Sequence, residues 1–169
     1  VKFNYSIWLL PNPKYEMVLN LLIKKATNYF SYSKFDAHCT LLGGINEPSA
    51  KLIELIESLT FKSKSISCDS IGLTLGKQPW KSFYVNIKMN PDIFRIQNYF
   101  SERILDVENF FFEPHISLVY GSLDEKDLRN WIKISNIPMK IVFNRIALVD
   151  TSNAVRNWTV LYKTHIGQN

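Results

Sequence analysis

The pattern of hydrophobic periodicity predicts an α+β fold made of two similar halves with two facing sheets. Three observations lead there. Strand-like and helix-like segments alternate along the whole chain, no linker or low-complexity tract divides it, and one strand pattern (His, apolar, hydroxyl, two apolar residues) occurs twice. A single domain over residues 1–169 follows from the unbroken alternation and from a length suited to one hydrophobic core.

Residues 2–10 read as a strand closed by Pro11. Asn12-Pro13 then supplies an N-cap followed by Pro at the first helical position, where its missing N–H costs nothing. The helix runs to about Phe30, with Met17, Val18, Leu21, Leu22 and Ala26 as its apolar face. Residues 38–43 form a short strand, and Asn46-Glu47-Pro48 opens a second helix with Leu52, Ile53, Ile56 and Leu59 on one side. Strands over 65–76 and 82–88 follow, separated by a Gly76-Lys77-Gln78-Pro79 loop. Asn90-Pro91 repeats the capping device ahead of a helix carrying Ile93, Ile96, Tyr99, Phe100 and Ile104. A Phe-rich stretch over 109–113 leads to a strand at 115–120. Ser122 and Glu125 are spaced as a capping box for a fourth helix ending near Ile134. Strands over 139–149 and 157–164, joined by a polar turn at Ser152 and Asn153, close the chain.

Composition narrows the class. With 46% apolar residues, including 11 Phe and 8 Tyr, the chain can fill a sizeable core. The apolar run at residues 7–10 is too short for a signal-peptide core or a membrane span, so neither secretion nor membrane crossing is expected. Cys39 and Cys68 lack the C-x-x-C spacing of zinc or redox sites and read as reduced, buried thiols of a cytoplasmic protein. The net charge of +5 suits a phosphate-bearing ligand. Most of the basic residues are Lys, however, and the abundance of Ile, Asn, Lys, Phe and Tyr is what codons of an AT-rich genome produce.

The chemistry lies in the repeated strand pattern, His38-Cys39-Thr40 and His115-Ile116-Ser117. Side chains at i and i+2 of a strand share a face, so each segment offers one imidazole and one hydroxyl together. Phosphodiester cleavage needs a base for the attacking hydroxyl and an acid for the leaving oxygen, and two imidazoles can divide these tasks near neutral pH. Thr40 and Ser117 can donate to the phosphoryl oxygens, so the chemistry calls for no metal or other cofactor. A zinc site from His38, His115 and His165 would lack the closely spaced ligand pair common in catalytic zinc sites. Cys39 cannot pair with His38 as a nucleophile, because neighbouring strand residues face opposite ways. His165 has no assigned role.

At these two motifs the chain resembles the two-histidine, LigT-like phosphoesterases, and within them the cyclic phosphodiesterase branch. The segment Tyr5-Ser6-Ile7-Trp8-Leu9-Leu10-Pro11 and the segment Asn144-Arg145-Ile146-Ala147-Leu148 followed by Trp158 extend the likeness over nearly the whole chain. The resemblance implies a bilobal fold with two antiparallel sheets lining a central cleft and helices outside. It implies His38 and His115 as the acid–base pair, Thr40 and Ser117 as phosphate ligands, and Trp8 and Tyr120 beside them as substrate-binding residues. Residues 106–114, with Phe110-Phe111-Phe112, take the place of a substrate-covering loop. The implied substrate is a small nucleotide with phosphorus on a ribose 2′ oxygen: a 2′,3′-cyclic phosphate, ADP-ribose 1″,2″-cyclic phosphate, a short 2′-5′ oligonucleotide or a cyclic dinucleotide. Some viral members destroy 2′-5′-linked immune messengers. The AT-rich composition fits a poxvirus-like source, so the expected substrate is 2′-5′/3′-5′ cyclic GMP-AMP, cleaved in the host cytoplasm by a monomer. The opposing expectation is a nucleotide- or RNA-binding module without turnover, against which stand two intact motifs and the absence of a basic run.

Overall fold

The computed structural model describes residues 2–59, 64–76, 80–108, 110–134 and 136–166. Its elements run β1 (Tyr5–Pro11), α1 (Pro13–Phe30), β2 (Cys39–Ile45), α2 (Ser49–Glu57), β3 (Ile66–Leu75), β4 (Phe83–Ile87), α3 (Pro91–Ser101), β5 (His115–Val119), α4 (Glu125–Ile134), β6 (Lys140–Asp150) and β7 (Thr159–His165). β1 is paired on both edges, antiparallel to β2 and to β6, and every one of its residues is buried. β4 has the matching place in the other half, between β3 and β5. The triplets β2-β1-β6 and β5-β4-β3 are therefore copies of one arrangement.

The two expected sheets are joined. Ile66 to Asp69 of β3 pair with Phe143 to Lys140 of β6, while β3 from Ser70 onward pairs with β4. All seven strands form one array in the order β2-β1-β6-β3-β4-β5, with β7 added to β6. β3 is long enough to serve two neighbours and β6 three, which periodicity cannot reveal because it reports strands and not their partners.

Two helices cross between the halves. α1, from the first half, packs on β5 as well as β1, and α3 packs on β2; α2 lies on β6 and α4 on β3. One buried cluster consequently contains Ile7, Leu9 and Leu41 together with Val85, Ile116 and Leu118. Burying each such side chain contributes roughly 1.5–3 kcal/mol.

Two caps form as expected. Asn12 accepts from the Tyr15 N–H with Pro13 at the first helical position, and Asn90 accepts from the Asp92 and Ile93 N–H groups. Elsewhere the structure differs from expectation. The buried face of α1 is Leu19, Leu22, Ile23 and Ala26, whereas Met17 and Leu21 are exposed, because this helix carries two apolar stripes at valid spacing. α2 starts at Ser49 without a side-chain cap; Asn46 instead accepts from the Phe3 N–H and donates to Asp106. α4 is capped by Asp124, which accepts from the Lys126 N–H, while the Ser122 carbonyl accepts from the Tyr32 hydroxyl. The polar turn after β6 tightens into a single 3₁₀ turn at Val155–Asn157. Lys77, Gln78 and Pro79 of the expected loop lie outside the described residues. No helix among the described residues is long and apolar enough to cross a membrane.

The Asp124 cap is checked by urea unfolding. Asp124→Ala should lower the unfolding free energy by about 1 kcal/mol, and Ser122→Ala should change it by less than about 0.5 kcal/mol. Equal losses would restore the Ser122 box.

Candidate active site

Register determines which side chains meet. Trp8 pairs with Thr40, and in the other half Tyr84 pairs with Ser117 and Asn86 with His115. Directly opposed residues share a face, and i and i+2 share it too. His38, Thr40, Trp8, His115, Ser117 and Tyr84 are thereby brought to the inner faces of the two halves. His38 lies one residue before β2, and His115 is the first residue of β5. A cleft of about 500 Å³ lies between the halves, lined among others by His38, Thr40, His115, Trp8 and Tyr120.

Each imidazole is held in the same way. His38 Nδ1 lies 2.6 Å from the Asp36 carbonyl oxygen, and His115 Nδ1 lies 2.6 Å from that of Glu113. A carbonyl can only accept, so in each neutral ring Nδ1 carries the proton and Nε2 keeps a lone pair. The approach to β2 is tied to α1 by the Ala37 N–H donating to Asn20 Oδ1 at 2.7 Å. The approach to β5 is tied to β4 by the Ile87 N–H donating to the Pro114 carbonyl at 3.1 Å.

The two rings then diverge. His38 is 3% exposed and stacks on Trp8, with ring centroids 3.6 Å apart and planes 9° from parallel. The Tyr120 hydroxyl donates to its Nε2 over 3.2 Å. Burial pushes the His38 pKa down to about 4, with the neighbouring His115 charge acting in the same direction against the Asp36 hydrogen bond. His115 is half-buried and meets Tyr84 edge-on at 5.1 Å. Its pKa is also lowered, by burial first and then by the Lys81 charge. Burial pushes the Tyr120 phenol up to about 12, which keeps it a hydrogen-bond donor at neutral pH. Ser117 Oγ is buried with no hydrogen bond of ordinary geometry, although it sits close enough to the Tyr120 phenol to interact with it. A buried hydroxyl in that state is costly unless something completes it.

The sequence reading missed four contributors. Tyr84 is the counterpart of Trp8, and the signal was present: Ser6-x-Trp8 and Ser82-x-Tyr84 precede the two histidines at nearly equal distances. Lys81 lines the cleft, pairs with Glu113, and holds its ammonium 4.7 Å from the Tyr84 ring centre. Trp158 stands edge-on to Trp8 at 5.6 Å and to Tyr120 at 5.4 Å. Gly43 occupies the place that Tyr120 holds in the other half. Each is followed by a glycine in a left-handed conformation, Gly44 at φ 69° and Gly121 at φ 150°. Phe110 and Phe111 line the cleft mouth, Phe111 being 81% exposed, whereas Phe112 packs against the core. His165 is exposed at the end of β7, and both cysteines are free and buried. Among the described residues no group of three or more His, Cys, Asp or Glu is placed to hold a metal ion.

No protein-family profile matches the chain, and no curated protein matches it in sequence. Its fold, however, has solved counterparts. It is similar to Escherichia coli LigT in apo form, with a TM-score of 0.64 and 13% identity over 99% of both chains. LigT complexed with 3′-AMP gives a TM-score of 0.61 and 14% identity over 99% of this chain and all of that one. TT0787 of Thermus thermophilus gives 0.65 and 15% over 97% and 98%. The chain has the α+β, two-lobed LigT-like fold from end to end.

The buried His38 makes stability pH-dependent. Its folded-state pKa of about 4 lies below the unfolded value near 6.5, so as pH falls the unfolded chain takes up the proton first. The stability present above pH 6.5 is therefore lost between about 6.5 and 4, by about 3 kcal/mol at most for a shift of this size. Unfolding free energies of the parent and His38→Asn proteins, measured across that window, should converge as pH falls; a constant gap would contradict the burial.

Proposed function

We propose that this chain is a two-histidine phosphodiesterase, metal-independent, that cleaves nucleotide phosphodiesters at a ribose 2′ oxygen. The observation carrying this reading is the pair of imidazoles lining one cleft with Thr40, each with its Nε2 lone pair fixed by a carbonyl on Nδ1, and the uncompleted hydroxyl of Ser117 buried on the same strand face as His115. LigT, which shares the fold, has been solved with 3′-AMP and with phosphate.

The environments suggest a division of labour. His38 is kept neutral by burial and serves as base; His115, more open to solvent, is the more readily protonated ring and serves as acid. His38 Nε2 takes the proton of the attacking water or neighbouring ribose hydroxyl. The attacking oxygen bonds to phosphorus as the bond to the leaving oxygen breaks, and the proton on His115 Nε2 passes to that oxygen. Charge gathering on the non-bridging oxygens meets Thr40 and Ser117 hydroxyls, with Lys81 nearby. Tyr120 has first to release His38 Nε2, and a phosphate oxygen is the natural new acceptor for its hydroxyl. Trp8 holds the base ring by stacking.

The finer reading is a 2′-5′-linked signalling nucleotide, 2′-5′/3′-5′ cyclic GMP-AMP, cleaved by a virus-encoded protein in host cytoplasm; its support is the AT-rich composition. Opening of 2′,3′-cyclic or ADP-ribose 1″,2″-cyclic phosphate would use the same groups.

The test is a substrate panel in EDTA holding 2′,3′-cyclic nucleotides, ADP-ribose cyclic phosphate, 2′-5′ oligoadenylate and cyclic GMP-AMP. Turnover of at least one is expected, with losses of about 100-fold or more in His38→Ala and His115→Ala. Tyr120→Phe should lower kcat while leaving the fold intact by circular dichroism. Activity abolished by EDTA, or near-normal activity in either histidine variant, would overturn the mechanism. Binding of a nucleotide without turnover would favour a binding module.

A further inference from the structure

The inner face of the first half is wider than the histidine cleft. Ser6 pairs with Val149, Trp8 with Ala147, and Val149 with Val160, so these side chains share one face with Thr40. Trp158 rests on that face beside Trp8 and divides it. On one side lies the cleft; on the other is a cavity of about 260 Å³ bordered by Trp8, Trp158, Val155 and Val160, with Lys34 and Arg156 at its edge. Asp36 adds one carboxylate, leaving the cavity with a surplus positive charge. Lys34 and Arg156 are both exposed, and no ion pair joins either of them among the described residues.

We infer that this cavity is a second phosphate subsite, which takes the phosphate of the nucleotide unit next to the scissile one, so that the preferred substrate carries at least two phosphates. The inference rests on the cleft being where a phosphodiester is cleaved. The cavity is smaller than the roughly 300–1,000 Å³ of a self-sufficient small-molecule site, which suits a phosphate and ribose continuing from the cleft and not a separate ligand. Arg156 can grip a phosphate through two parallel N–H bonds, and Lys34 adds a point charge. Val155 and Val160 give the ribose an apolar floor, and the Trp158 indole, its N–H donating to the Asn153 carbonyl at 3.1 Å, is fixed as the ridge between the two sites. A substrate crossing that ridge places one phosphate between the histidines and the next beside Arg156.

The experiment compares 2′-5′ diadenylate with and without a terminal phosphate, in the parent and in the Lys34→Ala/Arg156→Ala double variant. The terminal phosphate should raise kcat/KM about tenfold or more in the parent, through KM, and the double variant should lose that preference. A parent with no preference, or an equal preference in both proteins, overturns the subsite. Stimulation of unphosphorylated diadenylate by free adenosine 3′,5′-bisphosphate would indicate a separate effector and overturn it as well. If neither dinucleotide is cleaved, the functional reading fails on its own, and adenosine 3′,5′-bisphosphate binding, followed by the tryptophan indole N–H resonances, decides the cavity. Binding weakened about tenfold in the double variant but not in Lys140→Ala, an exposed lysine at the start of β6 that borders neither this cavity nor the cleft, supports the subsite, and equal weakening in both overturns it. Absent binding, or the same affinity in all three proteins, refutes it.

Discussion

Everything proposed for this site depends on two hydrogen bonds, each from a histidine Nδ1 to the backbone carbonyl two residues earlier. They set the tautomer, and the tautomer decides that Nε2 faces the cleft with a lone pair. The backbone carrying those carbonyls must then be held still. In one half α1 does this through Asn20, and in the other β4 does it through Ile87. Each hold comes from the histidine's own half, so the orientation of either ring is settled by its local scaffold.

The halves share a backbone plan but not an environment. Where the first has Trp8 flat against its histidine, the second has Tyr84 edge-on. Where the second has Tyr120, the first has Gly43, whose added Cβ would lie 3.3 Å from Ser6 Oγ and 3.6 Å from Phe110. One large side chain therefore crosses to cover the opposite ring, and nothing crosses back. Duplication supplies two similarly held imidazoles, and this exchange of Gly for Tyr gives them unlike surroundings, His38 being buried against Trp8 and Tyr120 while His115 is half-buried.

Much of this was legible in the chain. The strands, the helices, the Asn-Pro caps and both His-x-hydroxyl motifs follow from spacing and from residues with strong local preferences. What escaped depends on tertiary choice. α1 had two apolar stripes, and only packing against β5 selects Leu19 and Ile23 over Met17 and Leu21. Asp124 competed with Ser122 as a cap, and the Ser122 carbonyl is engaged by Tyr32. The joined sheet rests on β3 and β6 pairing along part of their length. Among site residues, Lys81 has no motif of its own, whereas Tyr84 could have been found from the repeat of Ser6-x-Trp8 in Ser82-x-Tyr84; Trp158 stood in a recognised segment, but its place beside Trp8 and Tyr120 emerges only from packing.

The interlocked halves also constrain how the chain reaches its native form as it leaves the ribosome. β1 emerges early, but its partner β6 comes late, and β2 waits for α3 to cover it. Local segments alone cannot complete either lobe, so most stabilising contacts join distant parts of the sequence, a topology associated with slow, all-or-none folding. Until the last strands arrive, the apolar faces of β1 and β2 lack cover, which is the condition in which nascent chains draw chaperones or aggregate. The cleft itself arrives with the closing of the fold, since the two imidazoles come to face it only when both halves are assembled.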